Sequence, residues 1–145
     1  MLEVVSAAEW LVVLRVIIGL YWIRDGWSHL SKERRDGNHL EKVVSSFKPR
    51  TTIYRNFINE VVLTHPHTFA ALTFSAMIFG GIFLVLGILT PVAGLVLAFL
   101  NVNLFLAGPR ETSAAYNNAM FVAIHLLLTL SGAGVSYALL PMRLM

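Results

Sequence analysis

The chain has 145 residues, of which 57% are hydrophobic and 13% charged, a balance too apolar for an ordinary soluble domain and expected of a membrane protein. It contains no cysteine. This excludes disulfides, iron–sulfur clusters, thiolate metal sites and cysteine nucleophiles, and leaves any thiol or persulfide chemistry to a partner. The net charge of +3 does not point to nucleic acid, because eight of the eleven Lys and Arg residues fall between Arg24 and Arg55, a clustering that membrane orientation explains.

Residues 1–9, MLEVVSAAE, carry Glu3 and Glu9 and no Lys or Arg, so no cleavable signal peptide is expected and the first helix should persist in the mature protein. Trp10 reads as the interfacial anchor of a first span over residues 10–30. Within it Arg15, Gly19, Trp22, Gly26 and His29 recur at spacings of four and three, which places them on one helical face. That face should avoid lipid, because a guanidinium in hydrocarbon costs roughly 2.5–3.5 kcal/mol on insertion scales. The glycines beside it predict a close packing seam.

Residues 31–66 turn polar and should leave the bilayer as an amphipathic, partly helical loop. His39 to Phe47 and Thr52 to Leu63 have apolar faces at helical spacing, separated by Pro49 and closed by Pro66. One or two short helices on the membrane surface or capping the bundle are expected. His65 and His67 flank Pro66 and so lack the one-turn spacing of a helical metal motif.

A second span is predicted over 68–89, with Thr73, Met77, Gly80, Leu84 and Gly87 on one face. After the Thr90-Pro91 turn, a third runs over 92–107 with Gly94, Ala98, Asn101, Phe105 and Gly108. The fourth, over 113–140, carries Asn118, Val122, His125, Thr129, Gly132 and Ser136. The shared period of 3.5 predicts an all-α, polytopic four-helix membrane bundle of one domain, 1–145, with left-handed crossings near +20°. Seven Lys and Arg residues in the loop and Arg110 in the next turn on that side, against Arg143 opposite, put the loop in the cytoplasm and both termini outside. A prokaryotic inner membrane is the expected setting.

The segments LRVIIGLYWIRDGW and FGGIFLVLGILTPVAGLVLAFLNV, followed by Asn117, Asn118 and the SGAG ending at Gly134, resemble the DoxX-like (DoxX/DoxD) integral membrane family. The resemblance covers about residues 10–30 and 70–135. It implies a four-helix fold and a role beside quinone-linked redox systems; the small subunit of thiosulfate:quinone oxidoreductase belongs to this group. Family members often have histidine and lysine where this chain has Asp25 and His29, and an acid where it has Met77. If that acid pairs with the arginine of helix one in those relatives, Arg15 lacks that partner here.

The polar positions leave two kinds of role open. Arg15 either offers its five donors to an anion or a quinone oxygen, or satisfies helix carbonyls and neighbouring Asn side chains. His125 lies mid-span. It could exchange a proton with a quinone or ligate a haem or chlorophyll-type pigment, or it could bond a neighbouring Asn or Thr. A bis-histidine haem within the chain is not expected, because His29, the other helical candidate, lies near a helix end. Asn101, Asn117 and Asn118 are expected mainly as hydrogen-bonding glue between helices, with Asn103 off the inward seam. Asp25 and His29, one turn apart, could pair near the surface; Trp10, Trp22 and Trp27 read as anchors or core.

The combined expectation is a small integral membrane subunit of a quinone-linked redox complex, with Arg15, Asn101, Asn118 and His125 lining a quinone pocket and electron carriers on another polypeptide. The alternative is a non-catalytic structural or accessory subunit of a larger respiratory or photosynthetic membrane complex. No catalytic or metal-ligating residue is assigned, and the chain is not a complete oxidoreductase alone. Expected partners are the lipid bilayer and other membrane-protein subunits, with no nucleic acid. A transporter is disfavoured because neither a broken helix pair nor an inverted repeat is evident.

Overall fold

A computed structural model describes residues 7–49, 51–108 and 113–131, and the elements among them are helical. Helix α1 spans Ala7–Asp36, 30 residues, a length of about 45 Å. It runs past the expected limit at Leu30 because SKERRD is rich in good helix formers, and Arg34 and Arg35 in the last turn complement the negative end of the helix dipole. Gly37 then stops it, at φ +71°, with its N–H donating to the Glu33 carbonyl at 2.8 Å.

The chain folds back through α2 (His39–Ser45), whose first turn is held by the Glu33 carboxylate accepting the Leu40 N–H at 2.8 Å. Leu40 and Val44 are its buried face. Helix α3 (Thr52–Phe57) starts on Thr51, whose hydroxyl accepts the Tyr54 N–H, and continues as a π-helical turn over Ile58–Val62.

Helix α4 (Pro66–Leu86) begins with a proline in its first turn, where the missing N–H costs nothing. It ends three residues before the expected Leu89 because Gly87, at φ +75°, closes a C-terminal motif: Gly87 N donates to Phe83 O and Leu84 O, and Ile88 N to Phe83 O. Leu89 follows at φ +50°, an uncommon conformation for a branched side chain, and lets α5 (Thr90–Ala107) start at once with Pro91 in its first turn. Helix α6 is described over Ser113–Leu130; the expected continuation to residue 140, with Gly132 and Ser136, lies outside the described residues.

Helices α4, α5 and α6 are each long and apolar enough to cross a membrane. Helix α1 is longer, yet Arg15, Arg24 and Asp25 interrupt its apolar stretch. It packs antiparallel on α4: a methyl group added at Gly19 would meet the Gly81 carbonyl and Val85, and one at Gly26 would meet Met77 and Ile78. Leu97 of α5 lies over Gly80 of α4, and Thr129 of α6 lies over Gly94 of α5. Tyr21 and Phe121 stack with ring centroids 5.0 Å apart, bringing α6 back against α1. The face of α1 carrying Arg15, Gly19, Trp22 and Gly26 is its buried face.

Candidate functional site

Four polar or charged side chains are sequestered in the interior among the described residues: Arg15, Thr90, Asn101 and His125, each 0–1% exposed. They occupy different depths. Arg15 reaches the C-terminal end of α4, where a Cβ on Gly87 would lie 2.6 to 2.8 Å from its guanidinium atoms. This is a favourable place for a buried cation, because the partial negative charge of a helix C-terminus is concentrated there. Only glycine leaves room for it, and only glycine adopts the Gly87 backbone without strain.

Met77, at the position where the family resemblance implies an acid, packs against Gly26. Its distance from Gly87 is ten residues, about 15 Å along α4. The acid position and Arg15 therefore belong to different levels in this chain.

Trp22 lies two turns beyond Arg15, about 10 Å along α1. Its indole Nε1–H donates to His125 Nε2 at 2.9 Å in the buried interior, with the two rings tilted and their centroids 5.7 Å apart. An indole nitrogen can only donate, so Nε2 is the accepting nitrogen and the imidazole hydrogen sits on Nδ1. That Nδ1 is buried and has no hydrogen-bond partner among the described residues, as is also true of Thr90 Oγ1. An orphaned buried donor costs about 1–3 kcal/mol. One turn further along α6, Thr129 Oγ1 donates to the His125 carbonyl at 2.8 Å, in the space that Gly94 leaves open.

Asn101 forms the third level. Its amide donates to the Leu97 carbonyl one turn back at 2.9 Å. Asn118 is half-buried and lies two turns before His125, about 10 Å back along α6. The structure thus brings His125 together with Trp22, and sets Arg15 at one end of the interior and Asn101 and Asn118 towards the other. Asn103 lies off the seam: its amide bonds the Phe99 carbonyl at 2.7 Å, and the Tyr54 hydroxyl lies 3.1 Å from both its carbonyl and its side-chain oxygen.

Trp22 is the residue that sequence reasoning assigned to anchor or core. The available signal was its place on the same face as Arg15; what the sequence lacks is a way to match its depth to that of His125, 103 residues away.

A second polar group lies where α1 emerges. His29 Nε2 is 3.8 Å from Asp25 Oδ1, and His29 Nδ1 is 2.8 Å from His39 Nε2. Phe74 stacks on His29 at 5.3 Å. Glu33, besides capping α2, lies 3.4 Å from His67 Nδ1. Among the described residues no three His, Cys, Asp or Glu side chains are placed to hold a metal ion. Outside the spans, burial pushes the Tyr54 phenol above its usual range, and the hydrogen bond from Arg35 holds the Asp36 carboxyl below its own.

Comparison with curated proteins and with solved structures finds no match. The DoxX family profile matches residues 10–109, a stretch that includes α4, α5 and all of α1 from Trp10 onward and stops before α6. With more than half of its length matched, and with three helices long and apolar enough to cross a bilayer, the chain is an integral membrane protein that belongs to the DoxX family.

Proposed function

We propose that the chain is a four-span membrane subunit of a quinone-linked redox system, with α1 as the fourth span and the His125 level as the place where a quinone headgroup is held. The exposed face of α1 supports the first part. Trp10, Val13, Ile17, Leu20 and Tyr21 are apolar or amphipathic and face outward, whereas Arg15 is turned inward to the end of α4.

The observation that carries the second part is the His125 Nδ1–H. It is a hydrogen-bond donor whose direction Trp22 sets, buried where water does not compete, with no acceptor among the described residues. A quinone carbonyl is an acceptor of the matching kind, and the bound quinone would supply the redox chemistry. The protein's part is to orient one carbonyl and exclude water. Arg15, turned to the end of α4 two turns away along α1, stands outside this contact, and Asn101 and Asn118 close the opposite side. With no cysteine in the chain, electron carriers of the thiolate-ligated kind reside on a partner polypeptide. Haem or chlorophyll-type ligation by His125 is the poorer fit, because Trp22 already occupies Nε2. The positive charge of loop 31–66 supports a cytoplasmic position for it at a prokaryotic inner membrane, with both termini outside.

The test is gentle-detergent native purification with mass spectrometry of co-purifying proteins and extracted quinones, repeated on His125→Leu. A stoichiometric quinone lost in the folded variant supports the site. Retention of quinone in that variant rules His125 out as its contact. A large assembly without quinone favours the second reading, an accessory structural subunit of a respiratory or photosynthetic membrane complex. That reading draws on Asn101, whose amide is already satisfied by its own helix.

A further inference from the structure

We propose that α3 and its π-helical continuation form an interfacial foot that lies in the headgroup layer of an anionic leaflet of the same bilayer. The proposal rests on the membrane setting alone and is independent of the quinone site. The segment carries two apolar stripes. Tyr54, Ile58 and Val62, at spacings of four, belong to the side packed on the protein core. Ile53, Phe57 and Val61 recur at the same spacing one residue earlier and are 84%, 41% and 40% exposed.

Protein among the described residues covers this second stripe only in part, leaving Ile53 almost bare and Phe57 and Val61 about two-fifths exposed, and its height identifies what meets the rest. The Tyr54 hydroxyl is tied to the carbonyl and side-chain oxygens of Asn103, in the last turns of α5 (Thr90–Ala107). The foot is thereby fixed where a membrane-crossing helix leaves the hydrocarbon. At that height an exposed aliphatic and aromatic stripe meets the headgroup and acyl boundary.

Charge selects the lipid. Arg55 sits within the segment, and Lys48 and Lys42 lie just before it, all exposed. Glu60 and Glu41 are the opposing charges on the same stretch and are exposed as well. At the end of α1, Lys32 and Arg34 are exposed and add to the basic charge of the loop, whereas Arg35 is paired with Asp36 at 3.1 Å. Cations beside an inserting apolar stripe match anionic headgroups such as phosphatidylglycerol.

The absence of cysteine allows a direct test on the full chain. Ile53→Cys, at an exposed position, is labelled with an environment-sensitive nitrobenzoxadiazole. The protein is reconstituted in vesicles of equal parts phosphatidylglycerol and phosphatidylcholine, or of phosphatidylcholine alone. The expected result in anionic vesicles is blue-shifted emission, with quenching by headgroup-region nitroxide lipid exceeding quenching by aqueous iodide about twofold or more. Asn38→Cys, labelled in the same way at the turn beyond α1, should report water throughout. Adding Lys48→Glu and Arg55→Glu to Ile53→Cys should return its label towards iodide access in anionic vesicles.

Iodide access of the Ile53 label in every vesicle overturns the foot. A label shielded from both quenchers overturns it too, in favour of a second copy or another protein on this face. Equal shielding in both vesicle types, unaffected by the charge reversals, overturns the anionic preference.

Discussion

The close backbone approach of α1 and α4 at their glycines gives the sharpest test of the architecture. A methyl on Gly81 would come 2.6 Å from the Gly19 carbonyl oxygen, and one on Gly19 would come 2.7 Å from both the Gly81 oxygen and Val85 Cγ2. Ordinary contact begins at 3.4 Å, so the shortfall from 2.6 Å is about 0.8 Å. A backbone oxygen cannot rotate aside, and α1 and α4 must separate by about that amount. A gap of this size forfeits a quarter to a half of each contact well along the seam, and overpacking of this kind costs about 1–3 kcal/mol.

Against that stands a helix-propensity gain of up to about 1 kcal/mol for Gly to Ala. The net expectation for Gly19→Ala or Gly81→Ala is a loss of about 1–2 kcal/mol, a fall of roughly 3–8 °C in the melting midpoint. Differential scanning fluorimetry in mild detergent measures it, with Gly108→Ala as the control, since the nearest atom there is Leu104 O at 3.5 Å. Both substitutions widen the same seam, so the double variant should lose less than the two single losses combined. If Gly19→Ala and Gly81→Ala melt with the wild type, α1 does not pack on α4 at these glycines and the seam is wrong.

Three further outcomes follow from single contacts. Trp22→Phe removes the donor to His125 Nε2 and should cost about 1–3 kcal/mol, while Trp22→Phe with His125→Phe, which removes both partners, should recover much of it; melting midpoints check this, and nitrogen chemical shifts report whether the imidazole hydrogen leaves Nδ1. Gly87→Ala places a methyl on the Arg15 guanidinium and forces alanine to φ +75°, so it should destabilise by more than the about 1–2 kcal/mol of left-handed strain alone. Burial raises the Tyr54 phenol above its usual 10, so the undocked segment ionises first and docking on Asn103 is complete below about pH 10 and lost as the pH rises through the folded value; hydrogen exchange over residues 51–63 should show that step in the wild type and not in Tyr54→Phe.

The helices were legible in the sequence because in lipid every backbone group must be satisfied within its own segment, and the small and polar residues then mark the inner face directly. Arg15, Gly19, Trp22 and Gly26 on α1, and Met77, Gly80 and Leu84 on α4, are buried as their spacing implies. Helix ends were less legible. Past Leu30 nothing in SKERRD stops a helix until Gly37, and near Leu86 the decisive residue is Gly87, whose left-handed backbone outweighs the apolar run to Leu89. The candidate site was legible only as a set of residue types. Period alone assigns Arg15, Asn101, Asn118 and His125 to one interior, but their depth depends on how antiparallel helices register. That register is set by Gly19 against Gly81 and Gly94 against Thr129, contacts that no single segment encodes.

Depth also separates what the buried groups do. Arg15 is directed to the end of α4, two helical turns from the Trp22 level, so its charge bears on the α4–α5 turn. His125, by contrast, is engaged by Trp22 on one nitrogen and presents the other as a donor. If a quinone is held at the His125 level, ligand at about one hundred times its dissociation constant should stabilise the protein by about 2.7 kcal/mol. Removing each side chain should then divide two quantities that are otherwise confounded. Arg15→Leu should lower the melting midpoint in the absence of quinone and leave the quinone-induced rise largely intact. His125→Leu should abolish that rise, whatever it does to the midpoint without ligand. A rise preserved in folded His125→Leu, or lost only in Arg15→Leu, would move the ligand to the Arg15 end of the interior and leave the Trp22 to His125 bond as a fastener between α1 and α6.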